Sequence, residues 1–238
     1  MNRALYAAAT GMAAQAQTLD VVADNLANAD VAGFKRATAT FAALGDGLGT
    51  APAGVRRLFE QGKLEKSGGP FDIAIEGEGF FSVERDGRHA YTRAGAFARA
   101  SDGTLRNAEG WQLAGVHIPA DATALDVAAD GHVFVTLADR GRQEAGRIRL
   151  TEFAAPERLQ SIGSALFVAT SESGRARAVS PGGEHGPKLV FGALERANVS
   201  IVESMMAILG AQRAYEANAK GVQAADEMQR IANNLHRG

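Results

Sequence analysis

Apolar positions recur with a helical period at the beginning of the chain. Leu5, Met12, Leu19 and Leu26 follow one another at intervals of seven residues, with alanines at the intervening offset. This spacing places side chains along one face of a helix. The pattern predicts a helix that ends near Asn28, because Ala32-Gly33 follows as a helix breaker.

The last part of the chain shows the same period. Its predicted apolar face contains Ile201, Met205, Ile208, Tyr215 and Val222, and Leu235 continues it one residue out of step. Asn198 or Ser200 is predicted to cap the start of this helix, with Glu203 completing a capping box from Ser200. Both predicted helices are much longer than the globular average of about 11–12 residues.

Between these ends, hydrophobic runs alternate with turn signals. The predicted strands are residues 71–75, 79–83, 133–137, 147–150 and 166–168. Asp-Gly pairs at 86–87, 102–103 and 130–131 are typical of hairpin turns. The pattern predicts an all-β sandwich or barrel-like domain and not βαβ units. Residues 44–56 are predicted to form a flexible connector, and residues 180–187 a second linker.

Glycine and proline mark the same three regions. Of 28 glycines, 23 lie between residues 44 and 192, together with all 6 prolines; helix interiors exclude both residue types. We therefore predict an α+β fold, in which long N- and C-terminal helices form a coiled-coil hairpin beside a central all-β domain. The predicted divisions are helix and turn at 1–36, connector at 37–60, β-domain at 61–190 and C-terminal helix at 191–238.

Composition excludes several classes of protein. The net charge is −2, from 25 Lys and Arg against 27 Asp and Glu, whereas nucleic-acid binders usually show a basic excess. No apolar run approaches the ~18 residues of a membrane span, and no Sec signal is recognisable. The chain has no cysteine, which excludes disulfides and argues against a structural zinc site.

Candidate chemistry is sparse. The histidines lack metal-ligand spacing and are scattered at His89, His117, His132, His185 and His236. Gly77-Glu78-Gly79 begins like a dinucleotide fingerprint, but Phe80 and Phe81 stand where the motif requires a helix and a third glycine. We expect no catalytic residue, no cofactor, no metal and no enzymatic activity.

The apolar stripes of the two terminal helices leave two interpretations open. The helices pack on the β-domain or on each other within one chain, or they coil together and also pack against other copies. Long apolar stripes exposed on an isolated domain would favour aggregation, and alanine-rich faces allow close helix approach.

Motifs at both ends and in the middle are shared with a known family. Thr10-Gly-Met12, Asp20–Asn28 and Gly33-Phe-Lys-Arg36 resemble the N-terminal signature of flagellar rod and hook proteins. Gln212-Arg-Ala-Tyr-Glu-Ala-Asn218 resembles their C-terminal signature. The segments similar to the shared β-domain are Gln61–Leu64, Asp72–Phe81 and Tyr91–Phe97. The resemblance spans nearly the whole chain, with the motifs in the expected order.

Within that family, the distal rod type is the most similar. The resemblance implies a structural, self-assembling axial subunit of the flagellar basal-body rod, which forms a helical tube and transmits torque from motor to hook. Only 24 residues separate Arg36 from Gln61, fewer than expected for a distal rod protein, so the proximal rod type is the alternative. From a different class, a soluble β-domain binding protein dimerised through a helical hairpin also stays open.

The family resemblance also implies partners and a location. The expected partners are copies of the chain, other rod proteins, the hook protein, the bushing rings and the flagellar type III export apparatus. No nucleic acid and no membrane span are expected. The expected location is the basal-body rod that crosses the periplasm, reached by export without a cleaved Sec signal.

Two groups of site residues follow. The residues predicted to form helix–helix assembly contacts are Leu5, Met12, Leu19, Val22, Leu26, Ile201, Met205, Ile208, Val222 and Leu235. The motif residues predicted to contact other subunits are Asn25, Asn28, Gly33, Phe34, Lys35, Arg213, Tyr215, Glu216 and Asn218. Gly33-Phe34-Lys35 is also predicted to form the turn between helix and connector, with Phe34 buried.

Overall fold

The computed structural model describes residues 3–45, 49–183 and 186–235, with side chains for all of these except 3, 4, 232, 233 and 235. The chain divides into two compact units. The described parts of Met1–Asn28, Arg36–Leu58 and Val199–Gly238 form the first, which we call the helical unit. Ala29–Lys35 and Phe59–Asn198 form the second, the β unit. The architecture is α+β, with one long helix near each terminus and a β-rich middle.

The helical unit is built on two helices. Helix α1 spans Arg3–Ala27 and α2 spans Ile201–Leu235, and the two pack against each other. Of the two caps predicted for α2, Ser200 is confirmed, because its Oγ accepts a hydrogen bond from the backbone N–H of Glu203 at 3.3 Å. Among the described residues, no helix combines the length and hydropathy needed to cross a membrane.

The segment predicted as a flexible connector contains regular structure. Strands β1 (Ala37–Ala43) and β2 (Thr50–Arg57) form an antiparallel hairpin that packs against α1. Small residues account for the discrepancy, since the Gly and Ala that suggest a loop also allow a hairpin to approach a helix closely. A Cβ at Gly49 would lie 2.2 Å from the Oγ1 of Thr10 on α1.

The β unit consists of short strands. In chain order they are β3 (Leu64–Lys66), β4 (Ile73–Glu76), β5 (Phe80–Arg85), β6 (Arg88–Thr92), β7 (Ala98–Arg99), β8 (Leu105–Arg106), β9 (Gln112–Leu113), β10 (Ala122–Val127), β11 (His132–Leu137), β12 (Gly141–Arg147), β13 (Leu150–Glu152), β14 (Gln160–Gly163), β15 (Leu166–Val168), β16 (Arg177–Val179), β17 (Lys188–Phe191) and β18 (Ala193–Glu195). One turn of 3-10 helix at Pro156–Arg158 precedes β14.

Every strand pair among the described residues is antiparallel. The main sheet runs in the order β14-β15-β6-β5-β9-β8-β7, and β13 joins it beside β5 while also pairing with β16. Strands β10, β11 and β12 form a three-stranded meander. Two further pairs, β4 with β17 and β3 with β18, join the beginning of the unit to its end.

The Asp-Gly turn predictions are confirmed. Asp86 and Gly87 both have positive φ in the turn between β5 and β6, as a type I′ hairpin turn requires. The other two pairs lie in the β7–β8 and β10–β11 turns, closed by bonds to Gly103 and Gly131. The predicted strand at 147–150 is wrong, because Arg147 ends β12 and Leu150 begins β13.

Two apolar clusters fill the β unit. The larger one joins the main sheet to the meander and includes Ile73, Phe81, Leu105, Val133 and Leu150. The smaller one is aromatic, with Phe59 packed edge-on against Phe80 and Phe167 at centroid distances of 5.2 and 5.1 Å. Edge-to-face contacts are the arrangement that ring quadrupoles favour.

Candidate assembly surface

One face of α2 carries an unpartnered row of large apolar side chains. The row, which we call the α2 strip, consists of Ile201, Val202, Met205, Met206 and Leu209. Its spacing of one, four, five and eight residues places all five side chains on one helix face. Val202 is 72% exposed and Met206 is 66% exposed. Exposed contiguous apolar surface of this kind marks an interaction site more often than isolated apolar residues do.

The opposite face of α2 forms the seam with α1 and is made of small residues. Ser204, Ala211 and Ala225 are buried there, at intervals of seven and fourteen residues that keep them in one row. On α1, Gly11 lies against Asn218, and a Cβ at Gly11 would come within 2.8 Å of the Asn218 amide nitrogen. Small side chains therefore allow the two backbones to approach closely.

Beyond Leu209 the outward face of α2 changes character. Gln212, Glu216 and Gln223 continue the line of the strip, and all three are exposed and polar. The contiguous apolar row therefore ends at Leu209, after about 13 Å of helix at 1.5 Å per residue. Further along α2, Met228 and Ile231 are separate apolar side chains that are 61% and 52% exposed.

The predicted α1 contact residues lie inside the helical unit. They are half-buried, and they are Leu5, Met12, Leu19, Val22 and Leu26. The most buried positions of α1 are instead Ala14, Val21 and Asn25. Burial is distributed around this helix because it packs against α2 on one side and against the β1–β2 hairpin on another.

On α2 the predicted contacts divide between the two faces. Ile208 and Val222 are half-buried, whereas Ile201 and Met205 are about half exposed and belong to the α2 strip. Ile201 and Met205 are therefore not buried against α1 within this chain, and their part in helix–helix assembly stays a prediction. Small residues form the seam with α1, and the large apolar residues of the α2 strip lie outside it. The side chain of Leu235 lies outside the described residues.

The polar motif residues of α2 also divide. Arg213, Tyr215 and Glu216 are exposed and available to a partner. Asn218 is half-buried against Gly11, so within this chain it contributes to the seam.

Asn25 fixes the hairpin to α1. Its side-chain amide donates to the carbonyl of Ala37 at 2.7 Å and accepts from the Ala37 N–H at 2.7 Å, and Asn25 is only 6% exposed. Asn28 differs, because its exposed amide bonds to Asp24 one turn back at 2.8 Å. Asn25 is thus an internal contact in this chain and is not accessible to another subunit.

The predicted Gly33-Phe34-Lys35 motif belongs to the β unit and is buried there. Gly33 has φ +68, and a Cβ would lie 2.3 Å from the backbone nitrogen of Ala94. Only glycine fits this position without strain. All three residues are buried within this chain, and their contact with other subunits stays a prediction.

Lys35 is part of a buried charge cluster centred on Glu195. The carboxylate of Glu195 accepts from Lys35 Nζ at 2.6 Å and from Arg93 Nε at 2.8 Å. It also accepts from the backbone N–H of Gly62 at 2.8 Å. Lys35 and Glu195 have side-chain exposures of 0%. Burial lowers the pKa of the Lys35 ammonium from its ordinary value of 10.5, although the Glu195 carboxylate opposes that shift.

Backbone carbonyls supply the remaining acceptors of the cluster. Lys35 Nζ donates to the carbonyl of Glu60 at 2.6 Å. Arg93 Nη1 donates to the carbonyls of Gly77 at 2.9 Å and Gly79 at 2.7 Å. Sequence reasoning missed Glu195 altogether, since it is 160 residues from Lys35 and no local pattern links them.

The described residues contain no group of three or more His, Asp or Glu side chains placed to hold a metal ion. The charged side chains of the buried cluster are almost inaccessible, with exposures of 0% for Lys35, 4% for Arg93 and 0% for Glu195. What the helical unit presents outward is the α2 strip, a surface suited to apolar protein contact.

Three family profiles match successive parts of the chain. Residues 5–35 match the family described as flagella basal body rod protein, and residues 74–135 match the flagellar hook protein FlgE/F/G D1 domain. Residues 191–235 match the flagellar basal body rod FlgEFG protein C-terminal family. The flagellar basal-body rod protein FlgG of Borreliella burgdorferi is 38% identical over the full length of both chains.

The chain belongs to the flagellar basal-body rod protein family. Further relatives are FlgG of Agrobacterium fabrum, 34% identical over 97% of this chain and 98% of its own, and FlgF of Caulobacter vibrioides, 32% identical over 98% and 97%. The alignment with the Borreliella protein has 264 positions and covers all 238 residues here, so at least 26 positions have no counterpart in this rod-family chain.

Proposed function

We propose that the chain is a structural, self-assembling subunit of the bacterial flagellar basal-body rod, of the distal type. The observation that carries this proposal is full-length similarity to proteins named flagellar basal-body rod protein FlgG, at 38% identity for the Borreliella relative. In this role copies stack into a helical tube that transmits torque from motor to hook. Head-to-tail contacts of one surface with a different surface produce such open helical assemblies.

The α2 strip supports the proposal physically. Five large apolar side chains on one face of α2 stay in contact with water in the single chain. Burying apolar surface contributes roughly 25 cal/mol per Å², so covering the strip with a neighbouring copy favours assembly. We propose that the neighbour's terminal helices cover it, and that the polar face beyond Leu209 forms weaker contacts through Arg213, Tyr215 and Glu216.

The two helices are proposed to act as a coiled-coil hairpin in the rod. The α1–α2 seam has buried residues at heptad spacing on α2, namely Ser204, Ala211 and Ala225, which is the spacing that a left-handed coiled coil uses. Leu5, Met12, Leu19, Val22 and Leu26 are half-buried on α1, so each has surface left for a second contact. A residue placed in this way serves the hairpin and the assembly together.

The same proposal includes the partners of the chain and its location. Other rod proteins and the hook protein are the axial neighbours, the bushing rings surround the rod, and the type III apparatus exports the chain without a cleaved Sec signal. The rod crosses the periplasm as part of the basal body. No enzymatic activity belongs to this role, in keeping with the absence of any enzyme among the relatives named above.

A charge placed in the α2 strip tests the proposal. We expect Val202→Asp combined with Met206→Asp to leave the chain folded, since acidic residues near a helix N-terminus interact favourably with its dipole. Assembly is expected to fail, because burying an unpaired carboxylate in an apolar contact is strongly unfavourable. The measurement is electron microscopy of isolated basal bodies from a motile host whose own gene is replaced by the variant, with swimming as the second readout.

Gln223→Asp is the matched control. Gln223 is exposed on the same side of α2 but beyond the strip, so a carboxylate there is expected to leave full-length rods and swimming intact. Full-length rods in the double strip variant would contradict the proposal. A folded chain that dimerises and never enters a basal body would instead support the soluble binding protein.

A further inference from the structure

Three segments that are distant in sequence meet at one carboxylate in the β unit. The segment 29–35 contributes Lys35 Nζ, the segment 59–62 contributes the Gly62 N–H, and the segment 195–198 contributes Glu195 itself. These segments begin or end where the chain passes from one compact unit to the other. All contacts among the three segments lie within the β unit.

Backbone bonds join the same segments a second time. The Gly33 N–H donates to the carbonyl of Glu195 at 2.7 Å, and the Asn198 N–H donates to the carbonyl of Phe34 at 3.4 Å. The side-chain amide of Asn198 donates to the carbonyl of Glu60 at 3.0 Å. Each segment is therefore bound to both of the others.

The charges link segment 29–35 to segment 195–198. Two buried cations, Lys35 and Arg93, share the carboxylate of Glu195. A buried ion that loses its partner is strongly destabilised, because the desolvation penalty is no longer offset. Withdrawing segment 195–198 thus removes the carboxylate from both cations, and withdrawing segment 29–35 separates Lys35 from Glu195.

We propose that the Glu195 cluster is a conformational latch that makes the docking of segments 29–35, 59–62 and 195–198 a single cooperative event. The three segments are docked together or released together, and the remaining strands of the β unit stay folded when they are released. Glu195 holds the latch closed, because its carboxylate contacts both cations. The latch is a property of the folded chain and does not depend on the proposed role in the rod.

Native-state hydrogen exchange on the full chain tests the latch without any substitution. Amides that open in one event show one opening free energy and one dependence on denaturant. We expect the amides of Gly33, Gly62 and Asn198 to share both values in low urea. The Ala114 amide, bonded to the carbonyl of Ser82 at 3.1 Å outside the cluster, is the reference. Three different opening free energies would overturn the proposal.

Charge removal at constant volume is the second test. Glu195→Gln removes the carboxylate that both cations contact, and exchange at the same three amides is expected to speed up by on the order of 100-fold. Ala114 is expected to stay within about threefold. Glu172→Gln is the matched control, because Glu172 forms an exposed ion pair with Arg158 at 3.1 Å and lies outside the three segments. Equal effects of the two substitutions would overturn the latch.

A rescue distinguishes the latch from ordinary packing. Lys35→Met alone keeps the Arg93–Glu195 pair, so it is expected to be milder than Glu195→Gln although it alters the side chain more. Added to Glu195→Gln, Lys35→Met removes one uncompensated cation. The double variant is expected to recover at least about tenfold of the lost protection, or to restore folding where Glu195→Gln alone does not fold. A double variant worse than either single one would contradict the proposal.

Discussion

Removing the amide of Asn25 gives the sharpest stability prediction for the helical unit. Ala37 and Arg57 are paired across the β1–β2 hairpin, and the flanking bond joins the Leu58 N–H to the carbonyl of Arg36. In such a non-hydrogen-bonded pair, the N–H and C=O of Ala37 point away from the partner strand. They meet Asn25 instead, with both bonds at 2.7 Å.

The magnitude follows from those two buried groups. Asn25→Ala leaves one backbone donor and one acceptor without their partners at a site where Ala37 is 7% exposed. Each such group costs about 1–3 kcal/mol when buried. Partial access of water reduces the sum, so we expect Asn25→Ala to lower the free energy of unfolding by about 2–4 kcal/mol. Asn25→Asp is also expected to destabilise, because its second oxygen faces the carbonyl of Ala37.

The assay is urea unfolding followed by circular dichroism at the helix band. Asn28→Ala is the matched control, since its exposed amide bonds only to Asp24 in the preceding turn and its loss should cost less than about 0.5 kcal/mol. Equal destabilisation by Asn25→Ala and Asn28→Ala would refute the reasoning. So would unchanged exchange of the Ala37 amide in Asn25→Ala.

Three further substitutions are expected to change the stability of the chain in a definite direction. Gly33→Ala is expected to lower stability by at least about 2 kcal/mol in urea unfolding, because the new Cβ would collide with the backbone of Ala94 at positive φ. Ala165→Gly is expected to raise the free energy of unfolding by about 1 kcal/mol in the same assay. Ala165 has φ +54, and this conformation is less favourable for an L-residue than for glycine. Ser200→Ala is expected to cost about 0.5–2 kcal/mol through the lost cap on the Glu203 N–H, and unchanged exchange in the first turn of α2 would contradict it.

Local sequence signals predicted local structure well. The Asp-Gly pairs mark the β-hairpin turns, and the predicted strand at 166–168 coincides with β15. The helix predicted to stop near Asn28 ends at Ala27. These features depend on a few adjacent residues, so they are visible without knowing what packs against them.

The partner of each helix face was harder to predict. Periodicity finds the row of large apolar side chains, which on α2 begins with Ile201 and Met205 on the exposed side. The seam with α1 is made by Ser204, Ala211 and Ala225, whose small size gives little hydropathy signal. In a chain that assembles with copies of itself, one apolar row packs within the chain and another packs against a neighbouring copy. A single sequence does not distinguish the two.

Long-range polar contacts were not predictable. Lys35 was expected to contact other subunits, yet its ammonium is 2.6 Å from Glu195, far along the chain. Asn25 was also expected to contact other subunits, and within the chain its amide bonds the backbone of Ala37, in a segment predicted to be a connector. Both contacts depend on which distant backbone passes nearby, and motif spacing contains no such information.

Thiol labelling at Met206 tests the assembly surface most directly. The chain has no cysteine, so Met206→Cys introduces a unique thiol within the α2 strip, at a position that is 66% exposed. We predict rapid labelling in the monomer and labelling at least about tenfold slower in isolated rods, because the core of a protein interface excludes water and solutes. Equal labelling rates in the monomer and in the rod would show that the strip stays exposed after assembly, and would contradict its role as the contact between copies.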